Sequence, residues 1–286
     1  MLSIGLCAQL ACIWEVTARK PGNVTRSHDF ADTTLVDYLA SAAAIAPVLE
    51  SAIERRVGQT ILVGLSATRQ VVRSNTNLGI LLLLAPLAAV PRTQSLRSGL
   101  RRVLEQLDIE DARAVYEAIR LAAPGGLGEA GEQDVRSEPT MGLRDIMRLA
   151  ADRDLIARQY INDFSDVLDV GTPAIQARLA EGDSLESAII HGHLKFMATY
   201  PDSLIIRKCG AQTANELQAR AKQILDAGWP KSADYRHPNG IRQLDTWLRA
   251  EGNKRNPGTS ADLVTASLFV LLREGTIESP PTYTWS

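Results

Sequence analysis

At 286 residues, with only 5% aromatics and a formal charge of −2, the chain can bury a large core but lacks the residues that strands and barrels favour. The near-neutral balance and a pI near 6.1 exclude a dedicated nucleic-acid binder. The densest basic group, Arg97, Arg101 and Arg102, has no interleaved aromatic residue and reads as a solvated helix face.

Apolar residues recur at helical spacing almost throughout, which predicts an all-α, multi-helix globular bundle forming a single domain over residues 1–286. Residues 2–17 form the first helix. Its apolar start has no basic n-region, since the first charge is Glu15, so it reads as core and not as a signal peptide. Pro21-Gly22 end it. The next helix starts at Thr33 or Thr34, with a Thr N-cap and Asp37 near the positive end, and runs to about Arg56 with Pro47 kinking or splitting it. The pattern continues over 59–73, 76–90, 93–107 and 109–122. The apolar run Ile80–Val90 is far short of the ~20 residues of a spanning helix, so no membrane partner is expected.

A flexible Gly-rich loop is expected at about 124–139. Its Gly126-Leu-Gly128-Glu-Ala-Gly131 matches GxGxxG in letters alone, with a helix before it and a polar loop after it, and is no dinucleotide fingerprint. No P-loop motif occurs. Helical signals resume over 142–170, 172–181, 184–199, 210–226, 237–251 and 260–274. Cys7, Cys12 and Cys209 are odd in number and lack CxxC spacing, which points to a reducing cytoplasm.

Two loops break the helical monotony and share a grammar. One is Lys20-Pro21-Gly22-Asn23-Val24, followed by His28-Asp29-Phe30-Ala31-Asp32; the other is Asn256-Pro257-Gly258-Thr259-Ser260-Ala261-Asp262. Each sets a Pro-Gly turn beside small hydrogen-bonding side chains and then presents a carboxylate, a combination suited to an anion held with a divalent cation. Asp202, Arg207 and Lys208 lie on a third short segment, which reads either as a helix N-cap with surface ion pairs or as a polyphosphate clamp. Glu15 and Arg19, at i and i+4, read as a helix ion pair that also faces the first loop. His28-Asp29 invites comparison with HD phosphohydrolases, but no histidine precedes it. His191 and His193 point about 200° apart on a helix and cannot ligate one ion.

The chain resembles the triphosphoribosyl-dephospho-coenzyme A synthase family. The landmarks are Glu15-Val-Thr-Ala-Arg-Lys-Pro-Gly-Asn-Val24 with His28-Asp29, then Asn75-Thr76-Asn77-Leu78-Gly79, Pro201-Asp-Ser-Leu204 and Asn256-Pro-Gly-Thr-Ser-Ala-Asp262, in the family's order. The resemblance implies an all-helical enzyme that moves the 5-triphosphoribosyl group of ATP to the 2′-hydroxyl of dephospho-coenzyme A and releases adenine. Typical members carry a His-Lys pair before the glycine of the central motif, where this chain has Asn77-Leu78, and an Asp-Thr-Asn-type sequence where it has Asp202-Ser-Leu. Those departures are similar to what a divergent branch with a related acceptor would show.

Under that reading Asp29 and Asp262 are the leading catalytic or Mg²⁺-binding carboxylates, with Asp32 and Asp202 second, and His28 is the general acid. Lys20, Arg207 and Lys208 face phosphates. Asn23, Asn77 and Asn256, with Thr259 and Ser260, orient ribose or phosphate oxygens. ATP is substrate, the partners are small nucleotides, and the oligomeric state is open, a homo-oligomer included. The alternatives are an Mg²⁺-dependent nucleotide or ADP-ribosyl-type glycohydrolase and a non-catalytic helical interaction protein. The last predicts that residues 20–32 and 256–262 face solvent separately.

Overall fold

A computed structural model describes residues 1–122, 133–229 and 240–277. The glycines expected to form a flexible loop, with their GxGxxG letters, fall outside the described residues. Among those described there are fourteen α-helices and no strand beyond an isolated bridge between Thr25 and His28. None of these helices is long and apolar enough to cross a membrane. The chain divides into two compact units, one of Leu2–Leu10 and Val36–Ser165, the other of Ala11–Leu35 and the chain from Asp166 onward.

The first unit holds α2 (Leu35–Glu50), α3 (Val57–Arg69), α4 (Leu78–Ala88), α5 (Leu96–Glu105), α6 (Ile109–Ala122), α7 (Leu143–Ala150) and α8 (Leu155–Ile161). Pro47 neither stops nor splits α2, which runs on to Glu50 before a 3₁₀ turn at Ala52–Glu54. Helix α4 is the core element, with Leu78 and every residue from Ile80 to Ala88 buried. Pro86 cannot donate to the carbonyl four residues earlier, that of Leu82. The buried Tyr160 hydroxyl donates to that carbonyl instead, at 2.6 Å, and so closes the gap. Helices α3, α4 and α6 pack together, and at Gly64 a Cβ would stand 2.6 Å from Leu81 Cδ2.

The expected helix over 142–170 is broken twice. Asp154 caps α8 by accepting from Ile156 N and Ala157 N, and Asp163 and Phe164 then adopt left-handed φ of 54° and 61°. Arg101 and Arg144 hold the Asp163 carboxylate at 3.0 and 2.8 Å, which keeps the reversal in place.

The second unit takes the C-terminal part of α1 (Ile4–Thr17), a π-helical segment Asp166–Gly171, α9 (Thr172–Ala180), α10 (Leu185–Thr199), α11 (Ser203–Cys209), α12 (Ala211–Asp226), α13 (Ile241–Arg249) and α14 (Gly258–Arg273). Ile190, Leu194, Met197, Ile205, Leu217, Ile224, Leu244 and Leu248 form its apolar centre. Helix α10 runs through it and contacts α9, α12 and α14. Gly171 lets the π-helical segment close on α10 and α14, since a Cβ there would meet Phe196 Cζ and Ser267 Oγ at 2.3 Å. This packing delivers the ends of α1, α10, α13 and α14 to the two motif loops.

Candidate active site

The two Pro-Gly loops meet. Asn23 Nδ2 donates to Asn256 Oδ1 at 2.6 Å, and Asn253 Nδ2 donates to both Asp32 oxygens at 3.0 and 3.2 Å. Asp245 of α13 braces the first loop by accepting from Gly22 N at 2.8 Å, while Arg249, paired with the same Asp245 oxygen, donates to Asn23 O at 2.7 Å. Gly22 is required here. Its φ is +81°, and a Cβ would stand 2.7 Å from Leu248 Cδ1 and 2.9 Å from Pro257 Cδ. The expectation that separate loops would mark a non-catalytic protein is therefore not met.

Around this junction the cations are distributed differently from expectation. Lys20 is buried, and its ammonium pairs with Glu15 Oε1 at 2.9 Å and donates to the Glu15 and Ala18 carbonyls. It faces the interior, paired with Glu15, and not solvent. Burial raises the Glu15 pKa and lowers that of Lys20, so desolvation pushes both partners toward neutrality against their mutual attraction. Arg19, expected to pair with Glu15, turns to another helix. It binds Glu186 of α10, with Nε to Oε1 at 3.0 Å, Nη2 to Oε2 at 2.9 Å and its backbone N to Oε1 at 3.0 Å. Arg26 Nη2 reaches the same Oε2 at 3.0 Å.

His193 of α10 is fully buried beside Lys20 and Pro257, its ring directed toward the Pro257 carbonyl without a well-aligned hydrogen bond. Burial first, and the Lys20 charge second, lower its pKa to about 3, so it is neutral at physiological pH. Cys12 of α1 is buried too; desolvation and the charges of Glu15 and Asp262 hold its thiol well above the usual range. That interaction places Asp262, half-buried on α14, in the same electrostatic neighbourhood as Glu15.

Three of the expected ligand residues hold helices together. Asp202 is fully buried; its Oδ1 accepts from Leu204 N and Ile205 N at 2.9 and 3.2 Å, and its Oδ2 accepts from Ser260 N and Oγ, both at 2.8 Å. It is the N-cap of α11 and clamps that helix to the start of α14, with both oxygens engaged. Burial raises its pKa against these four donors. Ser260 is spent on that clamp, and Thr259 Oγ1 accepts from Ser203 Oγ at 3.1 Å. Arg207 and Lys208 are exposed in the last turn of α11.

Asp29 and His28 are exposed. Leu35 N donates to Asp29 Oδ1 at 2.7 Å, so Asp29, where a Thr was expected, takes up the first amide of α2. Ser27 Oγ and His28 Nδ1 lie 3.2 Å apart. Asn77 belongs to the other unit, where it is buried and donates to Thr68 Oγ1 at 2.8 Å, its Oδ1 left unpartnered. Among the described residues no three His, Cys, Asp or Glu side chains form a metal-binding group. Sequence reading missed Asp245, Arg249, Glu186, Arg26 and Asn253, because nothing in an amphipathic helix marks which ion pair will face a loop.

The model of the CitG family, ATP:dephospho-CoA triphosphoribosyl transferase, matches residues 1–280. A relative from Pseudomonas savastanoi pv. phaseolicola, named "probable 2-(5''-triphosphoribosyl)-3'-dephosphocoenzyme-A synthase", is 29% identical over 143 residues, 50% of this chain and 43% of the relative. One of the same name from Pseudomonas fluorescens strain Pf0-1 is 29% identical over 117 residues, 40% of this chain and 39% of the relative. The chain thus spans under half the length of these curated relatives. A crystal structure from Archaeoglobus fulgidus, named "putative triphosphoribosyl-dephospho-coA synthase", aligns with a TM-score of 0.64 and 26% identity, covering 83% of this chain and 99% of that one. Neither the glycohydrolase nor the interaction-protein alternative draws support from these matches.

Proposed function

This chain belongs to the ATP:dephospho-CoA triphosphoribosyl transferase family, and on that premise we propose that it transfers the triphosphoribosyl group of ATP to the 2′-hydroxyl of dephospho-coenzyme A. The observation that carries the reading is the Asn23–Asn256 contact, which makes one junction of the two loops that bear the family's motifs. The acceptor oxygen forms a bond to the anomeric carbon of ATP's ribose as the bond to adenine breaks. The acceptor proton passes to a carboxylate, Asp262 or Asp29, and His28 returns a proton to the departing purine nitrogen. Asn23 and Asn256 orient the sugar and phosphate oxygens between them; the buried Asn23 Oδ1 lacks a donor, which suits a hydroxyl of the substrate. Arg207, Lys208 and the half-exposed Arg26 supply positive charge for the triphosphate.

Mg²⁺ fits this donor set in one form. It commonly binds through one or two carboxylates plus substrate phosphates and keeps several waters. No three of these carboxylates form a ready cluster among the described residues, so the exposed Asp29 or Asp32 would supply one carboxylate to an ion held otherwise by phosphate and water, whereas the committed oxygens of Asp202 would not. When bound, the ion would neutralise triphosphate charge. None of Cys7, Cys12 and Cys209 is in a disulfide, which supports a reducing, cytoplasmic setting.

Incubating the protein with MgATP and dephospho-coenzyme A tests the reading. Adenine release that requires the acceptor, with a product heavier by one triphosphoribosyl group, is expected. Release into water alone would replace the transferase with a hydrolase.

A further inference from the structure

Helix α10 has a second working face. His193 points to the loop junction, and His191, two residues away and about 200° round the helix, lines a cleft of about 600 Å³ that contains none of the loop residues. Its walls come from the π-helical segment, α9, α10 and α12, with Glu181 just past α9 and Trp229 beyond α12, so the carboxylates of Asp169 and Glu181 line it beside Arg178 and Lys195. π-Helical turns are rare and concentrate at functional sites.

The cleft contains a prepared aromatic corner. Trp229 Nε1 donates to Asp183 Oδ2 at 3.0 Å and to Ser187 Oγ at 3.3 Å, which fixes the indole, and the His191 ring packs edge-on against it with centroids 4.9 Å apart. Burial and the Arg178 charge lower the His191 pKa to about 4, so the ring is neutral; it is directed toward the Ala174 backbone, and its buried Nδ1 has no well-aligned hydrogen bond. Arg178 is committed, at 2.8 Å to Asp183 and 2.7 Å to Glu181. Lys195 is exposed at the cleft and its ammonium is unpaired among the described residues. A flat ring, an unmet hydrogen-bonding edge and an available cation together describe the complement of a base joined to a phosphate.

We propose that this cleft is a second ligand site that takes an adenine mononucleotide, its base against Trp229 and His191 and its phosphate at Lys195. The site stands independently of the transfer reaction. Two sources share this chemistry, a free mononucleotide and the adenosine-phosphate end of dephospho-coenzyme A.

Equilibrium dialysis of AMP against the intact protein tests it. Saturable binding is expected, weakened at least tenfold in Lys195→Glu and in Trp229→Leu, and unchanged within twofold in Asp262→Asn. Lys195→Glu alters an exposed position, so it remains informative if the tryptophan variant fails to fold. Competition of AMP by dephospho-coenzyme A, with a raised KM for it in Lys195→Glu, would assign the site to the acceptor; absence of competition would assign it to a free nucleotide. No saturable binding, binding indifferent to Lys195→Glu, or binding lost in Asp262→Asn would each overturn the proposal. Adenine release is measured separately, so its failure would remove the transferase reading and leave the cleft standing.

Discussion

Asn23 donates to Asn256 at 2.6 Å across 233 positions of sequence, and the contact is part-buried. A carboxamide pair in that setting contributes stability and geometry together. Asn23→Ala leaves Asn256 Oδ1 without its donor and should cost about 1–3 kcal/mol. Asn256→Ala should cost a similar amount. The double variant should lose less than the sum, with a coupling of about 0.5–3 kcal/mol in urea titrations. Strict additivity would mean that the two loops are held together by other contacts.

Lys20 and Glu15 give a sharper discrimination. If Lys20 only balances Glu15, Lys20→Met leaves a buried carboxylate alone and should destabilise by about 3–5 kcal/mol, while Glu15→Leu with Lys20→Met restores most of that loss. KM for ATP in the double variant should then stay near wild type. A KM raised a hundredfold in that stable variant would return Lys20 to direct phosphate binding.

Gly22→Ala combines a left-handed φ with contacts under 3 Å to Leu248 and Pro257. The expected loss is about 2 kcal/mol or more from strain and overpacking. Turnover should fall further than stability alone explains, since Pro257 belongs to the partner loop. Thermal melts and kcat on the same preparation separate the two effects.

Asp262→Asn and Asp29→Asn test the chemistry. Each should keep the melting profile of the parent to within a few degrees, and the one that takes the acceptor proton should lower kcat by about 10²–10⁴-fold. Full turnover in both variants would remove the carboxylate mechanism.

Stability should also depend on pH through His193. Its folded pKa of about 3 lies below the ordinary 6.5, so the unfolded chain binds the extra proton between those values. The histidine's contribution is complete above about pH 6.5 and is lost as pH falls toward 3, at up to ~1.4 kcal/mol per pH unit. Denaturation at pH 7, 6 and 5 should show that decline, and His193→Leu should flatten it. An unchanged slope in the variant would place the effect elsewhere.

The helical pattern was legible because apolar periodicity states directly which face is buried, and the boundaries of α6, α9, α10, α12 and α14 fall within a few residues of expectation. The break at Asp163 and Phe164 was not legible, since it rests on Arg101 and Arg144 from other helices. At the loops, the motifs marked two segments that the fold brings into contact, but not the contacts each side chain makes within them. A Pro-Gly turn followed by Thr-Ser reads alike whether the hydroxyls face a phosphate or a buried Asp202, and only the fold supplies Asp202 58 positions away. Lys20 took the Glu15 pairing expected of Arg19, and Arg19 went to Glu186, for the same reason, because Glu186 is 167 residues from Arg19.

Glu186 receives Arg19 on one side of the first motif loop and Arg26 on the other. One carboxylate on α10 therefore pins both stems of the intervening residues, and the curvature of the loop is moulded by a distant helix. The motif is consequently not a portable cassette. Residues 19–26 grafted onto another helical scaffold would keep their letters and lose their shape unless a carboxylate were supplied at the equivalent place. Within the family, the substitution that most directly re-forms the loop would lie far outside it, at position 186.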